Sequence, residues 1–278
     1  MAAEPSASEI ERDVAFAVEA ARAAGKRALA LRKSGRWTSE ETLADIGDQA
    51  CDGFLQGMLR GRYPEDGVLS EETADSPARL QRSRCWIVDP LDGTREYSQG
   101  REDWAVHVAL TLDHKPALAA VGLPSQGQVL WGVALPGRER GAMEGEGAGE
   151  LVRGDSQAPA RLRLAISRSH TPEWTSRFAQ ILGVSETVPA GSAGYKVMLL
   201  LLGRADVYVH KRGLKEWDTC APETVARALG WTVCKLRGED HRYNQQDYRN
   251  HELVVCRPAH KQQVLEALAA AGALTAPS

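Results

Sequence analysis

The stretch WIVDPLDGTREY (86–97) decides the reading of this chain. An apolar run, Trp86-Ile87-Val88, ends in Asp89; Pro90 and Leu91 follow, then a second aspartate, Asp92, and then Gly93-Thr94. The run reads as a short buried strand whose end holds a carboxylate rigidly. Two carboxylates this close repel each other unless a cation lies between them. Pro90 stiffens the turn, Gly93 lets the backbone approach a ligand, and Thr94 opens a helix whose N–H groups favour a phosphate. Mg2+ suits such a place, because this hard ion takes one or two carboxylates and leaves positions for water and phosphate oxygen. The competing reading of the short pattern alone is an ordinary Asx turn or helix cap.

The bulk properties bound what surrounds this stretch. The chain has 278 residues, 43% of them hydrophobic, and a formal charge of −3, enough for one large unit or two tightly packed halves. Without a basic surplus, no nucleic acid polymer is expected as a partner. The opening residues carry acidic groups and no apolar core of a signal peptide, and the longest apolar run, VMLLLL (197–202), falls far short of the roughly 20 residues a membrane span needs. Cys51, Cys85, Cys220, Cys234 and Cys256 are scattered with no C-x-x-C pair, which argues against a disulfide framework or zinc site. These features lead to the expectation of a soluble, reduced, cytoplasmic protein with no membrane partner.

Periodicity predicts a long amphipathic helix over 9–33 with Ser8 as N-cap, and on its buried face Gly25 admits a neighbouring element. A second helix is predicted over 48–59. Strands are predicted over 86–88, 104–112, 117–123 and 129–135, followed by a glycine-rich hairpin and loop region over 137–158 that includes GAMEGEGAGE. Beyond it, strands over 162–167, 206–210 and 252–256 alternate with helices over 172–182, 194–202, 222–229 and 261–271, the third with proline in its first turn. Helices first, then a long β region, then alternating β and α predict a layered α+β architecture.

Three further stretches join the aspartate pair: IGDQACDGFL with Asp48, GVLSEET with Glu71 and Glu72, and KEWDTCAPETVARALGW with Asp218. Taken in order, Gly47-Asp48, Ser70-Glu71-Glu72, Asp89-Pro90-Leu91-Asp92-Gly93-Thr94 and Trp217-Asp218-Thr219-Cys220-Ala221 resemble the pattern of the lithium-sensitive, magnesium-dependent phosphomonoesterases typified by inositol monophosphatase. The resemblance runs from the first helix to the end of the chain. Within that family, DGTREY, SRSH (167–170), GSAGYK (191–196), EWDT (216–219) and RYNQ (242–245) are similar to the CysQ branch, the 3′(2′),5′-bisphosphate nucleotidases, and Trp104 in EDWAVHVAL resembles its actinobacterial members.

The resemblance implies an αβαβα sugar-phosphatase sandwich, with an N-terminal α+β half over about 1–160, a C-terminal α/β half over 161–278, and the site between them. It implies a first Mg2+ held by Glu71, Asp89 and the Leu91 carbonyl, a second held by Asp89, Asp92 and Asp218, and a third resting on Glu71. Thr94 paired with Asp48 would orient the attacking water, with Asp45 as the competing partner because Thr42-Leu43-Ala44-Asp45 fits the family string as well. The amides of Gly93 and Thr94 would hold the scissile phosphate. Ser167, Arg168, Ser192, Lys196 and Lys211 would meet the substrate beside Asp218. Lys211 stands seven residues before Asp218, where inositol monophosphatases carry an acidic residue; a cation there suits a second anionic group. Lys215 joins this cationic rim, the competing reading of Arg168, Lys211 and Lys215 each being solvated surface charge, and Tyr243 and Asn244 flank the nucleoside or form a turn. His107 is expected to point across the sheet rather than bind metal. Trp86, Trp104 and Trp217 read as core residues.

The expected reaction is hydrolysis of 3′-phosphoadenosine 5′-phosphate, or its 5′-phosphosulfate analogue, to AMP (or APS) and phosphate. The alternatives are an inositol monophosphate, fructose 1,6-bisphosphate or other small sugar-phosphate phosphatase and, in another class, a non-catalytic ion-binding regulatory protein. Dimers occur in the family, so a homodimer is among the expected assemblies.

Overall fold

The structure is a computed structural model, describing residues 4–157, 159–169 and 171–275. His170, part of the SRSH string, lies outside the described residues. Two helices open the chain, α1 (Ala7–Lys33) and α2 (Glu40–Arg62). Ser6, not Ser8, caps α1: its hydroxyl accepts from the Glu9 amide while the Glu9 carboxylate takes the Ser6 N–H, a reciprocal box that Ser8 is two residues too late to form. The small residues Ala17, Ala20, Ala21, Ala24 and Ala28 form the buried side of α1, and at Gly25 the ring of Pro124 sits 2.5 Å from where a Cβ would stand.

A six-stranded sheet follows, in the order β1 (Gly67–Ser70), β2 (Arg84–Asp92), β3 (Ala105–Leu112), β4 (Lys115–Leu123), β5 (Gln128–Val133), β6 (Arg140–Gly145). Only the β1–β2 pair is parallel. The glycine-rich region expected as a hairpin and loop contributes β6, which pairs along β5 from Arg140 to Gly145. A short helix, α3 (Thr94–Ser98), leaves the end of β2. The second sheet runs β10 (Thr232–Cys234), β11 (Glu252–Cys256), β9 (Val207–Lys211), β7 (Arg163–Ser167), β8 (Glu186–Ala190), with the helices α4 (Trp174–Leu182), α5 (Ala193–Leu201), α6 (Glu216–Ala228) and α7 (Lys261–Ala270).

Alternation of side chains along each strand builds the layers. Trp86, Val88, Val106, Val108 and Ala120 face α1 and α2. Ile87, Ala109, Ala119, Val121 and Leu130 face the other way and meet α5 and α6. Those two helices also cover Ala165, Tyr208, Val233, Leu253 and Val255 of the second sheet. Leu164, Val207, Val254 and Cys256 turn outward against Phe178 of α4 and Leu268 of α7. The result is an αβαβα sandwich, an α+β fold whose central layer belongs to both sheets. Among the described residues, no helix is long and apolar enough to cross a membrane.

Candidate active site

The end of β2 is built to present oxygen. Pairing with β3 runs in register to Asp89↔His107 and resumes at Asp92↔Ala105, so one extra residue bulges from β2 at Pro90-Leu91. A bulge of this kind bends the strand and re-aims its side chains. Asp89 is fully buried; its Oδ1 accepts from the Leu91 N–H at 3.0 Å, while its Oδ2 has no hydrogen-bond partner. Gly93 follows with φ +96°, and a Cβ there would stand 3.1 Å from Ser192 and 3.2 Å from Trp104. Both conformation and space therefore demand glycine.

Asp92 is held by the first turn of α5. Its Oδ2 accepts from the Ser192 hydroxyl and the Gly194 N–H (2.6 Å), and its Oδ1 from the Ala193 N–H at 3.3 Å. Asp218 lies inside the first turn of α6, not before the helix, and accepts from the Lys215 N–H at 2.6 Å. The helix starts six residues ahead of Pro222, which therefore sits in its body rather than its first turn. Glu71 and Glu72 stand at the exposed rim just past β1.

Charge crowding is felt throughout. Burial, with Glu71, Asp92 and Asp218 adding to it, raises Asp89 well above the ordinary carboxyl range. Burial and then Asp92 push Asp218 up to about 8. Desolvation of the inward side of Glu71, then Glu72 and Asp92, push Glu71 up to about 7. An acceptor as buried as Asp89 Oδ2, with no donor and three acidic neighbours, fits a divalent cation.

Thr94 Oγ1 reaches Asp48 Oδ1 at 3.3 Å and the Leu91 carbonyl at 3.1 Å. Asp45 is exposed, so Asp48 is the carboxylate beside the Thr94 hydroxyl. Asp48 does not open its helix: Ser39 caps α2 nine residues earlier, and Asp48 lies mid-helix. Burial, then Glu72 and Glu71, push the Asp48 carboxyl up to about 8.

His107 extends from β3 to the Trp217 carbonyl, 3.0 Å from Nδ1. A carbonyl only accepts, so Nδ1 carries the proton. Nε2 lies 3.3 Å from Asp92 Oδ2, and single atoms of Asp89, Asp92 and His107 fall within 4.8 Å of one another. Gly194 closes the space before that nitrogen, since a Cβ there would be 1.9 Å from it.

The residues expected at the substrate have partners of their own. Ser192 is buried as the N-cap of α5 while donating to Asp92. Lys196 is buried with Nζ on the Gly191 carbonyl and over the Tyr208 ring at 5.3 Å, and burial lowers its pKa to about 8. Arg168 pairs with Asp103 at 2.7 Å. Lys211 Nζ donates to the Ala273 carbonyl at 2.6 Å. Lys215 lies over the Trp217 ring at 5.4 Å. Ser167 and Lys211 line a cavity of about 440 Å³ with Trp174, Tyr208, His210 and Arg212. Tyr243 and Asn244 are both buried, Asn244 with the positive φ of a turn: Tyr243 donates to Glu223 at 2.7 Å, and the Asn244 N–H donates to Glu216 at 2.6 Å.

Sequence reading missed the residues that hold these segments together. Asp52 accepts the hydroxyls of Ser70 and Thr73, and buried Arg79 joins Asp75, Asn244 and the Gln245 carbonyl. The S-x-x-T spacing around Glu71-Glu72 was the one local signal that the turn has a carboxylate beneath it.

Comparison with known proteins bears on the fold and the family. A family model described as "Inositol monophosphatase family" matches residues 9–273. A protein of Mycobacterium leprae (strain TN) named 3'-phosphoadenosine 5'-phosphate phosphatase is 38% identical over 255 residues, 88% of this chain and 89% of the relative. A Mycobacterium tuberculosis (strain CDC 1551 / Oshkosh) protein of the same name is 39% identical over 240 residues, 84% of this chain and 85% of its own. The crystal structure of CysQ from Bacteroides thetaiotaomicron, a bacterial member of the inositol monophosphatase family, superposes with a TM-score of 0.77 at 25% identity, covering 88% of this chain and 97% of that one. On its motifs, layers and relatives, this chain belongs to the inositol monophosphatase family.

Proposed function

We propose that this protein is a Mg2+-dependent phosphomonoesterase that consumes one water to convert 3′-phosphoadenosine 5′-phosphate into AMP and inorganic phosphate. The observation that carries the reading is Asp89 Oδ2, a buried acceptor without a donor, set among Glu71, Asp92 and Asp218. Glu71, Asp89, the Leu91 carbonyl, Asp92 and Asp218 would hold two Mg2+ ions, with a third near Glu71. Bound there, the ions offset the charge of a phosphate dianion and lower the pKa of water.

The rest falls to the chain's own groups. Thr94 has one hydroxyl proton and two acceptors for it, Asp48 Oδ1 and the Leu91 carbonyl, so its lone pairs remain to accept from a water and orient it. The N–H groups of Gly93 and Thr94 meet the scissile phosphate. Lys196 lies over the ring of Tyr208, which lines the cavity together with Trp174, His210 and Lys211. Aromatic and cationic walls suit a nucleoside carrying a second phosphate, and the names of the mycobacterial relatives support that substrate.

The test is phosphate release from a panel of esters with and without Mg2+. The nucleotide bisphosphate is expected to give the highest kcat/KM. Equal or faster turnover of inositol 1-phosphate or fructose 1,6-bisphosphate would refute the assignment. Asp92→Asn should lose more than the roughly 10- to 100-fold that removal of an outer partner of a metal site costs, and a fully active variant would refute the site.

A further inference from the structure

We propose that Asp52 is a positioning residue, gripping from α2 the turn that presents Glu71 to the bound ion. The inference rests on the assignment of Glu71 made above.

The turn after β1 is nearly untethered by its own backbone. Among the described residues, no main-chain hydrogen bond outside helices and strands involves residues 71–75. Its anchorage is side-chain chemistry. The Ser70 hydroxyl donates to Asp52 Oδ1 at 2.5 Å and the Thr73 hydroxyl to Asp52 Oδ2 at 2.6 Å. The two hydroxyls flank Glu71-Glu72, so one carboxylate closes the turn on both sides. Asp52 is buried, and a hydrogen bond to a buried charged acceptor is short, strong and geometrically demanding. Asp52 also lies one helical turn beyond Asp48, on the same face of α2. One rigid helix therefore carries the carboxylate beside Thr94 and the carboxylate that grips the Glu71 turn. The spacing between the Asp48–Thr94 pair and the turn that carries Glu71 is set by the pitch of α2, not by a flexible loop.

The test uses the full-length, metal-free protein with Mn2+ as probe, its binding measured by titration calorimetry. Thr73→Val keeps the shape and removes one hydroxyl; Asp52→Ala removes the grip. The Mn2+ dissociation constant is expected to rise about tenfold in the first and about 10- to 100-fold in the second, the range found when outer partners of metal ligands are removed. Asp52→Asn should recover most of the affinity, because its oxygen still accepts from Ser70 and its amide faces the Thr73 oxygen. A mere loss of helix stability would lower thermal unfolding without this pattern. Mn2+ affinity in Thr73→Val and Asp52→Ala within about twofold of the unaltered protein overturns the proposal. If Asp52→Ala does not fold, Thr73→Val decides alone. Glu71→Gln separates the two levels: unchanged Mn2+ binding there refutes the assignment of Glu71, whereas weakened binding there beside an unaffected Thr73→Val refutes only the role of Asp52.

Discussion

Arg79 and Asn244 hold each other twice. Arg79 Nη1 donates to Asn244 Oδ1 at 2.7 Å, and Asn244 Nδ2 donates to the Arg79 carbonyl at 3.0 Å. The pair ties the segment after Glu71 to the segment whose amides, Asn244 and Gln245, cap the carboxylate of Glu216 in the first turn of α6. Two carboxylates from distant parts of the chain, Glu71 and Asp218, thereby share one buried brace.

Replacing Asn244 by Ala leaves Arg79 Nη1 without its acceptor, while Asp75 and the Gln245 carbonyl still hold the rest of the guanidinium and the Arg82 N–H still donates to the Arg79 carbonyl. It also places alanine at φ +54°, a conformation that asparagine tolerates better. The expected loss of stability is about 2–4 kcal/mol, the sum of an unpaired charged donor and the backbone cost. Urea denaturation measures it, and Asn244→Gly should recover only the backbone part.

Thr94→Val keeps the volume at the start of α3 and removes the hydroxyl beside Asp48. The fall in kcat is expected to be roughly 10²–10⁴-fold, the worth of positioned proton transfer. The Mg2+ concentration for half-activation should not change, because Thr94 is not among the proposed ligands. A metal titration of initial rates separates the two effects.

The buried trio Glu223, His241 and Tyr243 sets a pH window for stability. His241 Nδ1 faces Glu223 Oε2 at 2.5 Å and Nε2 faces the Glu252 carbonyl at 2.8 Å, so both ring nitrogens carry protons. Burial pushes Glu223 up, but His241, Arg227 and Tyr243 outweigh it and hold its pKa down to about 2. Burial pushes His241 down, and Glu223 outweighs it, so the imidazole is raised above 6.5. The carboxylate's contribution is present above its ordinary 4.5 and lost as pH falls toward 2. The imidazolium's is present below 6.5 and lost as pH rises through its folded pKa. Glu223→Gln should cost roughly 3–5 kcal/mol within that window, the usual cost of breaking a buried ion pair. The difference should narrow on both sides of it, as measured by denaturation across pH.

Gly194→Ala drives a methyl to 1.9 Å from His107 Nε2 and 3.0 Å from Asp92 Oδ2. Overpacking of this kind costs about 1–3 kcal/mol. Adding His107→Ala empties the space, so the double variant should unfold at higher temperature than Gly194→Ala alone.

What the sequence discloses here is what it encodes locally. Asp89, Asp92, Gly93 and Thr94 are neighbours along the chain, and strand, proline and glycine state their geometry within a dozen residues. The start of α2 was misread because Asp48 and Ser39 are both good caps, and only the packing of Leu43 into the α1–α2 core selects the earlier one. Arg79 with Asn244 spans 165 positions, Asp52 with Thr73 spans 21, and His107 with Trp217 spans 110. No periodicity marks such pairs, and apart from the S-x-x-T spacing around Glu71-Glu72 no short motif does, because each residue alone looks like a surface charge, a turn former or a sheet histidine.

The shared central layer governs how the molecule can be made. The first sheet is finished once β6 has been synthesised, yet Ile87, Ala109, Ala119 and Leu130 stay uncovered until α5 and α6 emerge some tens of residues later. A nascent chain halted before residue 193 therefore carries a bare apolar plane and no Asp218. Such a fragment is prone to aggregate rather than to serve as a smaller working enzyme.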